Sequence, residues 1–492
     1  MRSVLAVGCA SAAFACIVCA CSTKARELPP FGEALVVVDT DLPVPLVAGR
    51  MRVDFFDESW TWYESRDIAR PDPQDWPVSS SVYSEDEARE HRVWLRVRIY
   101  AEGKLRDYRG ERFREWGGPI LDPPPSAGSR LFKNGADVTP PSEPQPLVTV
   151  DRLVLLRLTP GVRGRASVTL RGACAGTMAK LGPDGPESCV DTEKERAPVI
   201  AERLEGDLSI PAATAQGSWN ASHCPPDDPS SERVCIPGGA FILGSDDILV
   251  TPGYDAFPER TAGLRGFFVD RREVTVGDFR AAVARGFAPA RLPKANEGAL
   301  GSDPTGDACT WSASPRGREG YAVSCVTWDT ARAFCQFGGG DLLTEAQWEY
   351  VATSAGRRAK SRFVWGDDAP TCDRAIYGRA PLGGIVGVCQ SRGAGPHPLA
   401  DSAGDVTTLG VIGIAGGIAE WVRDGYEPYI GACWGRASIT DPLCAEEIPF
   451  ERSLRGGSWA APAPFLRSSA RIGEGAAGQL AIQGIRCAYA GN

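Results

Sequence analysis

The chain has 492 residues, with 56 Gly, 39 Pro, 16 Cys and only 3 His. At 43% hydrophobic and 23% charged, it is neither a disordered chain nor a polytopic membrane protein. A formal net charge of −9 argues against a nucleic-acid partner, and three histidines make a multi-imidazole metal site hard to build. The length accommodates two to four domains of about 100–200 residues.

Arg2 is the only charge before Lys24, and Val4 to Cys21 is apolar or small. This reads as an export signal over residues 1–20. The run Val18-Cys19-Ala20-Cys21 resembles a bacterial lipobox, which implies that Cys21 becomes the lipid-bearing first residue. Ser22, rather than Asp, then points to the outer membrane. An ordinary signal peptide or an uncleaved anchor are the alternatives. Three cysteines leave with the signal and Cys21 takes lipid, so twelve remain. An even number in an exported chain implies disulfides. No C-x-x-C exists past the signal, which excludes zinc-ribbon and thioredoxin readings. Short spacings suggest local loops: Cys174–Cys189, Cys224–Cys235, Cys309–Cys325, Cys372–Cys389 and Cys433–Cys444. Spacing alone does not fix the connectivity.

Residues 30–210 carry period-2 patterns. Met51, Val53 and Phe55 alternate with polar residues, as do Val93, Leu95, Val97 and Ile99, and Ala166, Val168 and Leu170. Half-buried strands are expected, forming an all-β, sandwich-like domain whose arginine-bearing strand faces lie in solvent. His91 is expected in a solvated loop. Trp60, Trp62 and Tyr63 are expected to pack in the core, with a carbohydrate platform as the alternative. Residues 211–233 are small, polar and Pro-rich, which fits a linker.

Past the linker, short helices alternate with strands and long loops. Thr275 is the expected N-cap of a helix that carries Phe279 and Val283 and stops at Gly286. Thr327-Trp328 opens a second helix with Ala331, Phe334 and Cys335 on one face. Thr344 to Gln347 is a capping box before a third, with Trp348 and Val351 inward.

The segments IPGGAFILGS, FFVDRREVTVGDF, VSCVTWDTARAFC, LLTEAQWEYVA, FVWGD, GGIAEWVRD, LRGGSW and GIRC stand in that order across residues 234–488. Together they resemble the formylglycine-generating enzyme (sulfatase-modifying factor) family. The resemblance implies a lectin-like, loop-rich α+β domain over 234–490. It also implies a disulfide between Cys335 and Cys487. A second family disulfide has no counterpart, because Ala352 and the stretch near Ala470 stand there.

In that family a GGS-aromatic motif precedes two cysteines that hold Cu(I) and oxidise a substrate cysteine. Here Gly456-Gly457-Ser458-Trp459 is present, and Ser458 matches a family serine. The cysteine positions are Ala461 and Leu466. Neither side chain ligates a soft metal, so no catalytic residue and no copper are expected. The family's calcium would fall at Glu420 with the backbone of Gly416 and Ile418, but its side-chain ligand position is Gly413. Calcium stays open on this reading.

The expectation is a cell-envelope lipoprotein whose family domain binds a protein or glycan, or acts as a scaffold, without catalysis. Its partners would be the membrane, through the lipid, and that ligand, not nucleic acid. The alternative is an oxidoreductase of the superfamily with non-thiol chemistry.

Overall fold

A computed structural model describes residues 31–84, 86, 88–107, 130–247, 254–381, 386–402, 404–445 and 450–491. The export signal and Cys21 lie outside the described residues. The described chain is mostly β with few helices.

The first half forms β1 (Gly32–Thr40), β2 (Arg50–Phe56), β3 (Trp62–Ala69), β4 (Val78–Ser84), β5 (His91–Tyr100), β6 (Val150–Leu158) and β7 (Arg163–Leu170). One sheet has the order β7-β1-β4, with β1 parallel to β7. The other is antiparallel, β6-β5-β2-β3. The alternating residues do what a two-residue period requires. Val36 and Val38 of β1, Val53 and Phe55 of β2, and Val97 of β5 meet Val168 of β7 in one core. Each buried Val or Phe contributes about 1.5–3 kcal/mol by leaving water.

The opposite face of β2 and β5 departs from expectation. Arg52 and Arg98 are 2% and 3% exposed rather than solvated. Asp54 takes both guanidinium groups, at 3.1 Å and 2.5 Å. A ribbon of Leu105–Asp107 and Ser142–Pro144 supplies further partners, and Arg52 donates to the Ser142 carbonyl at 2.8 Å. Two arginines and an aspartate on one strand face form an ion cluster that can be covered. His91 opens β5 rather than sitting in a loop, and its Nε2 lies 2.9 Å from Asp86. The aromatic cluster divides. Trp62 is buried, Trp60 stacks on Trp94 at 4.5 Å, and Tyr63 is exposed.

The segment 211–233 touches both halves. The Trp219 amide donates to the Asp41 carbonyl, and Asn220 Nδ2 to Thr440 Oγ1 at 3.3 Å. The Trp219 ring lies against Gly172 on one side and Gly263 on the other. A Cβ at either glycine would sit within 3.0 Å of it.

The second half forms β8 (Arg233–Ile236), β9 (Gly239–Leu243), β10 (Arg260–Leu264), β11 (Phe267–Asp270), β12 (Asp341–Leu342), β13 (Ala419–Gly425), β14 (Glu451–Arg455), β15 (Arg471–Gly475), β16 (Gln483–Gly484) and β17 (Cys487–Ala490). Its helices are α1 (Val276–Ala284), α2 (Trp328–Phe337), α3 (Glu345–Thr353) and α4 (Ala432–Arg436). The sheets are β8-β11-β17-β12 and β15-β14-β13-β16, with the hairpin β9-β10 beside them. Thr275 and Thr344 both close capping boxes, through Asp278 and Gln347, and Thr327 caps α2. Trp348 and Val351 are buried as the helical period requires, but Val283 is 36% exposed. The apolar face of α1 is carried instead by Val276, Phe279 and Ala282.

Six disulfides form: the five local pairs and Cys335–Cys487, which ties α2 to β17 across 152 residues.

Candidate functional site

The glycine-rich motif follows β14 directly. Gly456 has φ +81°, and a Cβ there would lie 2.8 Å from the Ile414 carbonyl. Only glycine allows this close pass. The Gly457 and Trp459 amides then donate to the Ala415 and Gly417 carbonyls at 2.8 and 2.9 Å. Trp459 is buried, and its Nε1 donates to the Ala481 carbonyl at 3.0 Å.

The three positions singled out beyond the motif's glycines come together here. Ser458 is 2% exposed. The Ala461 amide donates to the Ser458 carbonyl, and its own carbonyl accepts from the Gly378 amide. Leu466 ends a 3-10 turn (Ala463–Leu466) and is 1% exposed. It packs so closely on Gly457 that a Cβ there would meet Leu466 Cδ2 at 2.8 Å. Hydrocarbon from Leu466 fills the space beside Gly457.

Beneath this turn lies a charge cluster that the sequence reading missed. Arg471 holds Glu345 with two bonds, at 2.6 and 2.7 Å. Arg455, one residue before Gly456, reaches Glu349 at 2.6 Å and Glu345 at 3.2 Å. All four side chains are shut off from solvent. Burial opposes the charged carboxylate, yet Arg471 and Arg455 hold Glu345 below its ordinary pKa. The bidentate fork makes this a rigid support for the motif. The signal was present in the sequence: Glu345 and Glu349 are four apart on α3 and lie on one helix face.

A second cluster surrounds Glu420. Its Oε1 accepts from Arg486 Nε and its Oε2 from Trp348 Nε1, both at 2.7 Å. Arg486 also donates to the carbonyls of Asp270 and Ile412. Glu273 lies 3.5 Å from the same guanidinium, and neither of its oxygens accepts a hydrogen bond. Burial raises Glu273 well above the usual carboxylate range, against the pull of Arg486, and Glu420 adds to the rise. Asp405 is raised to about 6 by burial, although the Ala415 and Gly416 amides donate to it.

The sequence of the second half matches a known family. A model of the sulfatase-modifying factor enzyme 1-like domain matches residues 221–490. The chain belongs to that family. Its sulfatase-modifying-factor domain is 27% identical to the formylglycine-generating enzyme of Streptomyces coelicolor over 262 residues, covering 46% of this chain and 78% of that protein. It is 25% identical to the hercynine oxygenase of Mycolicibacterium smegmatis over 279 residues, covering 52% and 60%. Among solved structures, PvdO from Pseudomonas aeruginosa aligns with a TM-score of 0.40 and 21% identity over 52% of this chain and 93% of that one.

The family's metals can be tested against the residues present. Cu(I) needs thiolates, and Ala461 and Leu466 supply none. Calcium needs six to eight oxygen ligands. Glu420 already has a donor on each oxygen, Gly413 has no side chain, and the Gly416 carbonyl accepts from the Ile418 amide. The cation in this cluster is the Arg486 guanidinium. The residues present, Glu420, Gly416 and Ile418 among them, fit neither metal. Among the described residues, one other group of potential ligands lies close together, Glu427 with Cys433 and Cys444. Its two sulfurs are joined in a disulfide.

Proposed function

We propose that this protein is an exported lipoprotein of the outer membrane whose sulfatase-modifying-factor domain is a binding or scaffolding module and not a formylglycine-generating enzyme. A sandwich-like β domain would carry it next to the Cys21 anchor. One observation carries the reading: Leu466 and Ala461 occupy the two thiol positions, and Leu466 is packed into the core against Gly457. A hydrocarbon side chain neither ligates copper nor forms a mixed disulfide. Six disulfides support export. Against the oxidoreductase alternative stands the scarcity of histidine, with only 3 in the chain, His91, His223 and His397.

The test is to incubate the purified protein with Cu(I), oxygen and a cysteine-bearing sulfatase peptide, and to follow the peptide by mass spectrometry. The expected result is unchanged thiol. Copper-dependent aldehyde would overturn the reading. In the native host, Cys21→Ser should remove lipid labelling and release the protein from the membrane fraction. Unaltered labelling would sink the lipoprotein assignment.

A further inference from the structure

The contact between the two halves encloses a cavity of about 490 Å³ that the family motifs do not touch. The first half contributes Leu147, Thr177, Lys194 and Arg196, and the second contributes Arg260 and Thr261. The charges in this wall are unusual in their partners. Lys194 donates only to carbonyls at the end of α4, those of Gly435, Arg436 and Ala437. Arg196 donates to the Met178 carbonyl, and Arg260 to the carbonyls of Tyr429 and Trp434. Among the described residues, no carboxylate lies within 4.0 Å of any of the three. Burial without a counter-ion lowers Arg260 to about 10.

The acids nearby are engaged elsewhere. Glu259 pairs with Lys104 at 2.7 Å, and Glu143 with Arg106 at 2.7 Å. Glu193 is turned at the rim toward Ser438 and the Ile439 amide. Lys194, Arg196 and Arg260 are thus the wall's cations without a paired carboxylate among the described residues. Among the described residues of the wall, Arg260 Nε and Oγ1 of Thr261, a residue only 4% exposed, have no hydrogen-bond partner. An unpaired buried hydroxyl costs free energy unless a ligand meets it. The mouth carries exposed apolar surface, with Leu147 37% and Ile430 39% exposed.

We propose that this cavity binds a small phosphate monoester, with the phosphate at Arg260 and Thr261 and its organic body against Leu147 and Ile430. A phosphate monoester carries a charge of about −1.5 to −2 at neutral pH, which suits a wall of cations without paired carboxylates. Its several acceptor oxygens suit an arginine and a hydroxyl converging on one point. A low-dielectric cleft lined by one sign of charge focuses potential on such a ligand. This site is separate from the glycine-rich motif and stands whether or not that motif is catalytic.

The test is titration calorimetry on the full chain with 4-nitrophenyl phosphate, inorganic phosphate and 4-nitrophenyl sulfate. The aromatic phosphate should bind, weakening as salt rises, while inorganic phosphate lacks the body and the sulfate lacks the second charge. Both should bind more weakly. Arg196→Gln lies at the exposed rim and Thr261→Val preserves shape, so both variants should fold. Thr261→Val should weaken 4-nitrophenyl phosphate about tenfold, the order expected for a lost bond to a charged group, and Arg196→Gln should weaken it by less, through the lost field of a nearby charge. Absence of measurable binding at roughly millimolar ligand would overturn the proposal. So would binding that neither variant changes, or equal affinity for the sulfate.

Discussion

Arg486 Nε donates to Glu420 Oε1 at 2.7 Å, and both side chains are sealed from solvent. The pair stands where the family's calcium would be held. Deleting one partner strands the other charge in a low-dielectric interior, which costs about 3–5 kcal/mol. Glu420→Ala should therefore lower the unfolding free energy by about that amount, read from denaturant titrations. The wild-type midpoint should be the same in excess calcium and in a chelator. A calcium-dependent rise would show that a metal, not the guanidinium, neutralises the cluster.

Glu273 makes the same cluster sensitive to pH. It faces Arg486 and Glu420, with Asp405 also near, and burial holds its pKa above the ordinary 4.5. The folded state thus binds a proton more tightly than the unfolded chain. The stability this supplies is complete below 4.5 and is lost as pH rises through the elevated folded value. Glu273→Gln keeps the shape and removes the titration. The variant should lose less stability than wild type between pH 5 and pH 9, roughly the window in which such a buried acid ionises. Parallel stability profiles for the two proteins would contradict this.

The disulfide Cys335–Cys487 closes a loop of 152 residues, whereas Cys224–Cys235 closes one of 11. In the chain-entropy picture the longer loop restrains the unfolded state more. Replacing both members of the long pair with Ala should cost about 4–5 kcal/mol, and the short pair about 3 kcal/mol. Thermal unfolding of the two double variants checks the order.

These cysteines also show what was legible in the sequence. Short spacings pointed to the five local loops, because a loop of 11 to 17 residues folds back on itself easily. The long pair came only from family resemblance, since nothing local links α2 to β17. Strand faces followed the same division. The apolar alternation in β2 and β5 was readable, but the fate of Arg52 and Arg98 depended on a distant ribbon, Ser142–Pro144, that covers them. Val283 stands at helical spacing from Phe279, yet it stays 36% exposed. At the candidate site the substitutions at 461 and 466 were visible from the motif. The closing of the space by Leu466 needed the fold.

The two halves are joined through more than the connecting segment. Ala240 and Ile242 of β9 are buried in the apolar core of the first half. Leu46 packs against the cores of both halves. Across the same boundary Lys104 reaches Glu259 at 2.7 Å, with Glu259 3% exposed and raised by burial despite its partner. Lys104→Met leaves that carboxylate without its cation and should cost about 3 kcal/mol. Adding Glu259→Gln removes the stranded charge, so the double variant should be more stable than the lysine variant alone. A double-mutant cycle measures the coupling. If the shared core is what unites the halves, all three variants should still unfold in one transition, with tryptophan fluorescence and far-ultraviolet circular dichroism coincident. Separate transitions in the lysine variant would place the union in the ion pair instead.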